Sequence, residues 1–226
     1  MEALIEANRI CKRYNQKSSN MELKETSLTI QKGKIYVIEG KSGAGKSTLL
    51  NILGGMEKPT SGKVYYKGKS FYDLKDSEQA AIRGEQYGFI FQSFQLIPDL
   101  TVKENIELPL MFINRHERTN KVEELAGYLG IENQLHKLPD FLSGGEQQRV
   151  AIARALITDP EIIFADEPTG NLDGETTKKM IHLFTSLCNK KNITLIVVTH
   201  EKNLFEFPDT LFLMKNGRLQ VIQENV

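Results

Sequence analysis

The chain has no tryptophan, only two cysteines and seven prolines, and no net charge. Each shortage removes a class of explanation. Lys and Arg number 29 against 29 Asp and Glu, so no bulk field would hold nucleic acid or an anionic membrane. Cys11 and Cys188 lie far apart and outside any C-x-x-C, which reads as two small buried hydrophobes in a reducing compartment. No run approaches the ~18 apolar residues that cross a bilayer. The opening MEALIEANRICKRY sets acids among its apolar residues and has no signal-peptide core. A soluble, cytoplasmic chain is expected, and any membrane part must come from another polypeptide.

What is present is a globular composition: 226 residues, 40% hydrophobic and 26% charged, enough to bury a core as one large domain. KIYVIE (34–39), YGFIF (87–91), EIIFAD (161–166) and TLIVVT (194–199) are apolar almost throughout and rich in β-branched or aromatic residues. Such runs predict strands of a parallel sheet covered on both faces. Helical patterns at 46–55, 146–158 and 176–190 lie between or after them, so the alternation argues an α/β domain. Residues 2–31 and 62–72 alternate apolar and polar, as antiparallel strands do. Residues 93–140 are interrupted by Pro98, Pro109 and Pro139, with a helical pattern at 120–130. They are expected to form a mainly helical insertion, placed at about 93–150 within a single domain over 1–226.

GKSGAGKST (40–48) matches G-x-x-x-x-G-K-[ST], with Gly40, Gly45, Lys46 and Ser47 at the fixed positions. An apolar strand leads in and a helix leads out, the context this phosphate-binding loop requires. Glycines let successive N–H groups curl round phosphate oxygens, and the helix N-terminus adds partial positive charge. The candidate cradle is therefore Gly40, Lys41, Ser42, Gly43, Ala44, Gly45, Lys46, Ser47 and Thr48. Lys46 would reach the β- and γ-phosphates and Ser47 would ligate Mg²⁺. The acidic strand end supplies Asp166 for the metal and Glu167, one residue on, as general base for an attacking water. The chain is expected to bind and hydrolyse a nucleoside triphosphate.

LSGGEQQR (142–149) narrows the class. It resembles the signature sequence of the ATP-binding cassette (ABC) ATPases, and the resemblance extends over nearly the whole chain. It implies a P-loop NTPase core, mostly a parallel sheet, with an antiparallel β subdomain and a helical subdomain. Tyr14 in CKRYNQ resembles the aromatic that stacks on adenine, and Gln92 the lid glutamine that senses Mg²⁺ and water. Asp173 in GNLD resembles the aspartate that acts across a dimer, and His200 the switch histidine at the γ-phosphate. Ser143 stands where an N-cap would, and Gly144 and Gly145, followed by Glu146, expose backbone donors at a helix start. That is an anion site with no catalytic group. The resemblance implies that it clamps ATP held by a second copy, in a head-to-tail dimer with two nucleotides between the faces. Arg149 reads only as a charge near that cap.

GGMEKPTSG (54–62), LTVKENIELPL (100–110) and EPTGNLD (167–173) look like the lipoprotein-release, macrolide-export and bacitracin- or lantibiotic-resistance branch, with its division-linked relative. That branch implies a separate permease with a large extracytoplasmic domain, and so a peripheral place on the cytoplasmic face of the membrane. Phe94, Leu96, Ile97 and Leu100, within Ser93 to Leu110, either meet that permease or pack the helical lobe. Two other readings stand beside the transporter. A soluble ABC ATPase of ribosomes or chromosomes would bring a second cassette, a long coiled coil or a basic patch, and the sequence has none of them. A switch subunit of a division or cell-wall complex, driving no transport, would carry the same motifs.

Overall fold

The computed structural model describes residues 3–15, 21–113, 120–170 and 174–224. The first elements are β1 (Ala3–Lys12), β2 (Leu23–Gln31), β3 (Ile35–Glu39), α1 (Lys46–Leu53), β4 (Ser61–Tyr66) and β5 (Lys69–Ser70). Next come α2 (Asp76–Gln86), β6 (Tyr87–Ile90), α3 (Val102–Glu107), α4 (Lys121–Leu129) and α5 (Gly144–Leu156). The last are β7 (Ile162–Asp166), α6 (Gly174–Lys191), β8 (Thr194–Thr199), β9 (Thr210–Lys215) and β10 (Arg218–Glu224).

They build two sheets. The larger has the order β10-β9-β3-β8-β7-β6, parallel throughout except for β10 on its edge. The smaller, β2-β1-β4-β5, is antiparallel. Every residue of β3 and β8 is buried, which is why those strands read as unbroken apolar runs. Their side chains still divide by face. Val37, Ile163, Leu195 and Val197 join the cluster under α3, α4, α5 and α6. Ile38, Phe164, Ile196 and Val198 join the cluster shared with α1 and the antiparallel sheet. The expected α/β class with an antiparallel sheet at its side is the observed one.

Between β6 and β7 lie α3, α4, α5 and short helical turns at 108–112, 132–134 and 139–141. Helix α5 is wrapped by protein: Val150, Ala151, Ile152, Ala153, Ala155 and Leu156 are all buried, as in a helix with apolar contacts nearly all round. It starts two residues earlier than its apolar pattern predicts, because Ser143 caps it.

Glu161, just before β7, ties the two sheets together. Its carboxylate takes Lys32 at 3.0 Å, Lys67 at 2.6 Å and the Tyr66 hydroxyl at 2.6 Å. Tyr66 and Lys67 come from the antiparallel sheet and its following turn, so one carboxylate closes the joint.

Candidate active site

The end of β3 delivers the chain into the 40–48 loop. The Gly40 amide donates to the Thr199 carbonyl at 3.1 Å and the Ala44 amide to the Lys41 carbonyl at 3.1 Å, which turns the loop over the tips of β3 and β8. Gly45 has φ 102, and a Cβ there would sit 2.3 Å from the Glu22 carbonyl oxygen. No L side chain fits that position, so the glycine is fixed by space as well as by dihedral angle. Helix α1 then starts at Lys46 with its first amides directed along the loop.

Lys46 is buried; its ammonium donates to the Gly40 carbonyl at 2.8 Å and the Lys41 carbonyl at 3.2 Å. It also stands 3.6 Å from Glu167 Oε1. Glu167 Oε2 meets His200 Nδ1 at 2.8 Å. One carboxylate thus bridges the lysine at the loop and the histidine after β8. Glu167 itself has φ 46, an unfavourable left-handed angle for a residue with a Cβ. Its amide donates to the Val198 carbonyl at 2.9 Å and its carbonyl accepts from the Gly170 amide at 3.1 Å. The turn is therefore held from both ends.

The Ser47 hydroxyl hydrogen-bonds to Asp166. Burial raises the Asp166 carboxyl above its ordinary value, the Ser47 hydrogen bond pulls it down, and the neighbouring Glu167 charge pushes it up. Gln92 enters from the end of β6, and its amide nitrogen lies 3.0 Å from where a Cβ on Gly170 would be. A hydroxyl, one carboxylate and an amide form the sparse oxygen set that suits Mg²⁺, which completes its shell with phosphate and water.

These groups share one cleft of about 690 Å³, lined by Lys41, Ser42, Gly43, Gly45, Lys46, Ser47, Thr48, Gln92, Asp166, Glu167 and His200. Positions from four separate stretches of sequence meet there. Glu22 lines it too, and nothing in the sequence marks that residue. Gly40 and Ala44 support the loop from behind. Tyr14 stands at the side, 55% exposed as a residue, with its hydroxyl 2.5 Å from Glu57 and 3.4 Å from Thr48.

The signature residues are elsewhere. Ser143, Gly144, Gly145 and Glu146 contribute nothing to the cleft lining. Instead they start α5 with a reciprocal cap: the Ser143 amide donates to Glu146 Oε2 at 2.8 Å and its hydroxyl does so at 2.7 Å. The Gln134 amide holds the other Glu146 oxygen at 2.9 Å. The Ser143 hydroxyl, then its amide, draw the Glu146 carboxyl below its usual range. Asp173 lies outside the described residues.

A second, more apolar groove of about 620 Å³ opens beside β6, lined in part by Met56, Phe89, Phe91, Leu108, Phe112 and Arg154. Phe94, Leu96, Ile97 and Leu100 do not line it. Leu96 packs against the core under the helices, so for that residue the packing alternative is the observed one.

The ABC transporter family model matches residues 23–170. The lipoprotein-releasing system ATP-binding protein LolD of Cytophaga hutchinsonii is 40% identical over 96% of this chain and 99% of its own. The macrolide export ATP-binding/permease protein MacB of Bdellovibrio bacteriovorus is 40% identical over 96% of this chain, which spans 33% of that protein. The ABC transporter cassette MJ0796 of Methanocaldococcus jannaschii has been solved as a dimer. It superposes with a TM-score of 0.88 at 40% identity, over 97% of this chain and 99% of that one. A further dimeric structure of that cassette, in a post-hydrolysis state bound to ADP and Pi, gives a TM-score of 0.87 at 38% identity over 97% and 99%. The present chain belongs to the ABC transporter family, as one of its ATPase cassettes.

Proposed function

We propose that this ATPase works as a head-to-tail dimer that drives a separately encoded permease, in export or in force transmission across the membrane. The whole chain would be one nucleotide-binding domain, with residues 93–150 its helical lobe. The observation that carries the reading is the separation of the two anion-binding features. The cleft holds the loop, the acids and the histidine, while the helix start at Ser143, Gly144 and Gly145 has no part in its lining. Each copy therefore offers half a site, and two copies complete both.

In the complete site the 40–48 loop wraps the phosphates and Lys46 exchanges its two carbonyl partners for β- and γ-phosphate oxygens. Ser47, Asp166 and Gln92 would hold Mg²⁺, which supplies charge neutralisation on the β- and γ-phosphates. Glu167 takes the proton of the attacking water, and its strained turn fixes the carboxylate before substrate arrives. His200 leaves Glu167 for the γ-phosphate. Tyr14 exposes a ring face for adenine. Ser143, Gly144 and Gly145 of one copy close over the γ-phosphate of the other, Glu146 keeps that helix start in shape, and Asp173 acts across the interface.

The names of MacB, which joins ATP-binding and permease in one protein, and LolD support a membrane partner of this branch. Among the described residues no helix is long and apolar enough to cross a membrane, so the chain would sit on the cytoplasmic face through that partner. The groove beside β6 is the surface offered to the permease, whose large outer domain would take up the substrate. No nucleic acid is involved.

The deciding experiment uses tagged Glu167→Gln protein with Mg-ATP, purified from native membranes. The expected product is a closed dimer bound to a permease of few helices with a large outer domain. A closed dimer with ribosomal or chromosomal partners would overturn the transporter reading.

A further inference from the structure

Two consecutive residues after Gln92 stand in the left-handed region: Phe94 at φ 57 and Gln95 at φ 49. Neither is glycine, asparagine or aspartate, the residues that tolerate this conformation best. Such a pair persists only where its surroundings hold it. The Phe94 amide donates back to the Phe91 carbonyl at 3.1 Å and the Gln95 amide to the Ser93 carbonyl at 2.5 Å. Both carbonyls of the pair then face the same side chain. Arg154 of α5 donates through Nη2 to the Phe94 carbonyl at 2.7 Å and through Nη1 to the Gln95 carbonyl at 2.6 Å.

That guanidinium has no carboxylate partner among the described residues, and burial pushes it below its ordinary value. Even a half-buried cation without a counter-ion is costly unless its donors are used. Here the planar fork matches two successive carbonyls, a geometry that an ammonium cannot reproduce.

We infer that Arg154 is the positioning residue for Gln92: by pinning the strained turn at 94–95, it aims the glutamine into the nucleotide cleft. The clamp reaches from the helix that starts at Ser143 to the loop that carries Gln92. Movement of α5 on dimer closure is thereby transmitted to Gln92 within the same chain. The inference rests on the reading of Gln92 as a group of the hydrolytic site.

The test is steady-state ATPase kinetics on the full chain with three variants. Arg154→Met should lower kcat by about 10- to 100-fold, the scale of a small misplacement of a reacting group, with KM for ATP little changed. Adding Gln95→Gly should recover about threefold or more, because glycine adopts the left-handed turn without the clamp. A guanidinium that only supported packing would show no such rescue. Full turnover in Arg154→Met, or a loss of turnover that tracks a fall in Tm and ignores Gln95→Gly, overturns the inference. Gln92→Ala separates the two levels. If it hydrolyses ATP normally, the role of Gln92 fails and the inference falls with it; if it is impaired while Arg154→Met is not, only the inference fails.

Discussion

Glu167 shows how little room the chemistry leaves a single residue. The strained φ, the two backbone hydrogen bonds of its turn and the contacts with Lys46 and His200 all act on one side chain. Three residues later, Gly170 borders the amide of Gln92. A methyl group there would meet the Gln92 nitrogen at 3.0 Å, closer than comfortable packing allows, and the end of a flexible side chain can yield. Gly170→Ala is therefore expected to leave folding intact and to displace Gln92, lowering kcat by about 10-fold or more. Thermal unfolding and ATPase rates on the same preparation check this; an unchanged kcat would mean that the contact carries no positional information. Sequence makes Glu167 and Gln92 conspicuous, since one closes an acidic strand and the other ends an apolar one. It hides Arg154, whose partners are backbone carbonyls 59 and 60 residues away and leave no mark in any side-chain pattern.

At the scale of elements, the short helix α3 works as a clip. Its Asn105 is fully buried. The Asn105 amide donates to the carbonyls of Ile97, Leu100 and Thr101 at 2.9 to 3.1 Å, and its oxygen accepts from the Ile97 amide at 2.8 Å. Arg154 fixes the loop at 94–95 and Asn105 fixes it at 97–101, so the segment between Gln92 and α3 is held at two points. Asn105→Ala removes the bonds that the two amide hydrogens share among three part-buried carbonyls, and the acceptor for the Ile97 amide, at a cost of about 2–4 kcal/mol. A fall in Tm of several degrees with intact ATP binding is expected; a shift within experimental error would show that solvent replaces the clip freely. Legibility at this scale follows burial. Strands β3, β7 and β8 are covered on both faces and stand out as apolar runs. Helix α2 has no buried residue and only Ala80, Ala81 and Ile82 as apolar residues between polar ones, too few to mark a helix over 76–86.

Across the whole molecule the two sheets meet at Glu161. Burial raises its carboxyl, but the bonds from Lys67, Tyr66 and Lys32 prevail and bring it down to about 2. A carboxylate depressed in the folded state stabilises the protein above its unfolded value, near 4.5, and loses that contribution as pH falls towards 2. With the two lysines nearly half exposed, screening leaves on the order of 2 kcal/mol at neutral pH. Urea unfolding of Glu161→Gln should therefore show a deficit at pH 7 that shrinks steadily between pH 4.5 and pH 3. A deficit independent of pH would mean that packing, and not charge, joins the sheets.

The cap at Ser143 has a consequence for timing. It takes the amides of Ser143 and Glu146 for itself and leaves those of Gly144 and Gly145 without partners among the described residues. In the proposed dimer those two amides would be the donors left for a nucleotide's outermost phosphate. A diphosphate would end short of them. The MJ0796 cassette is still a dimer with ADP and Pi bound, so in the proposed assembly the departure of the cleaved phosphate, and not the cleavage itself, would be the clock that lets the two copies part.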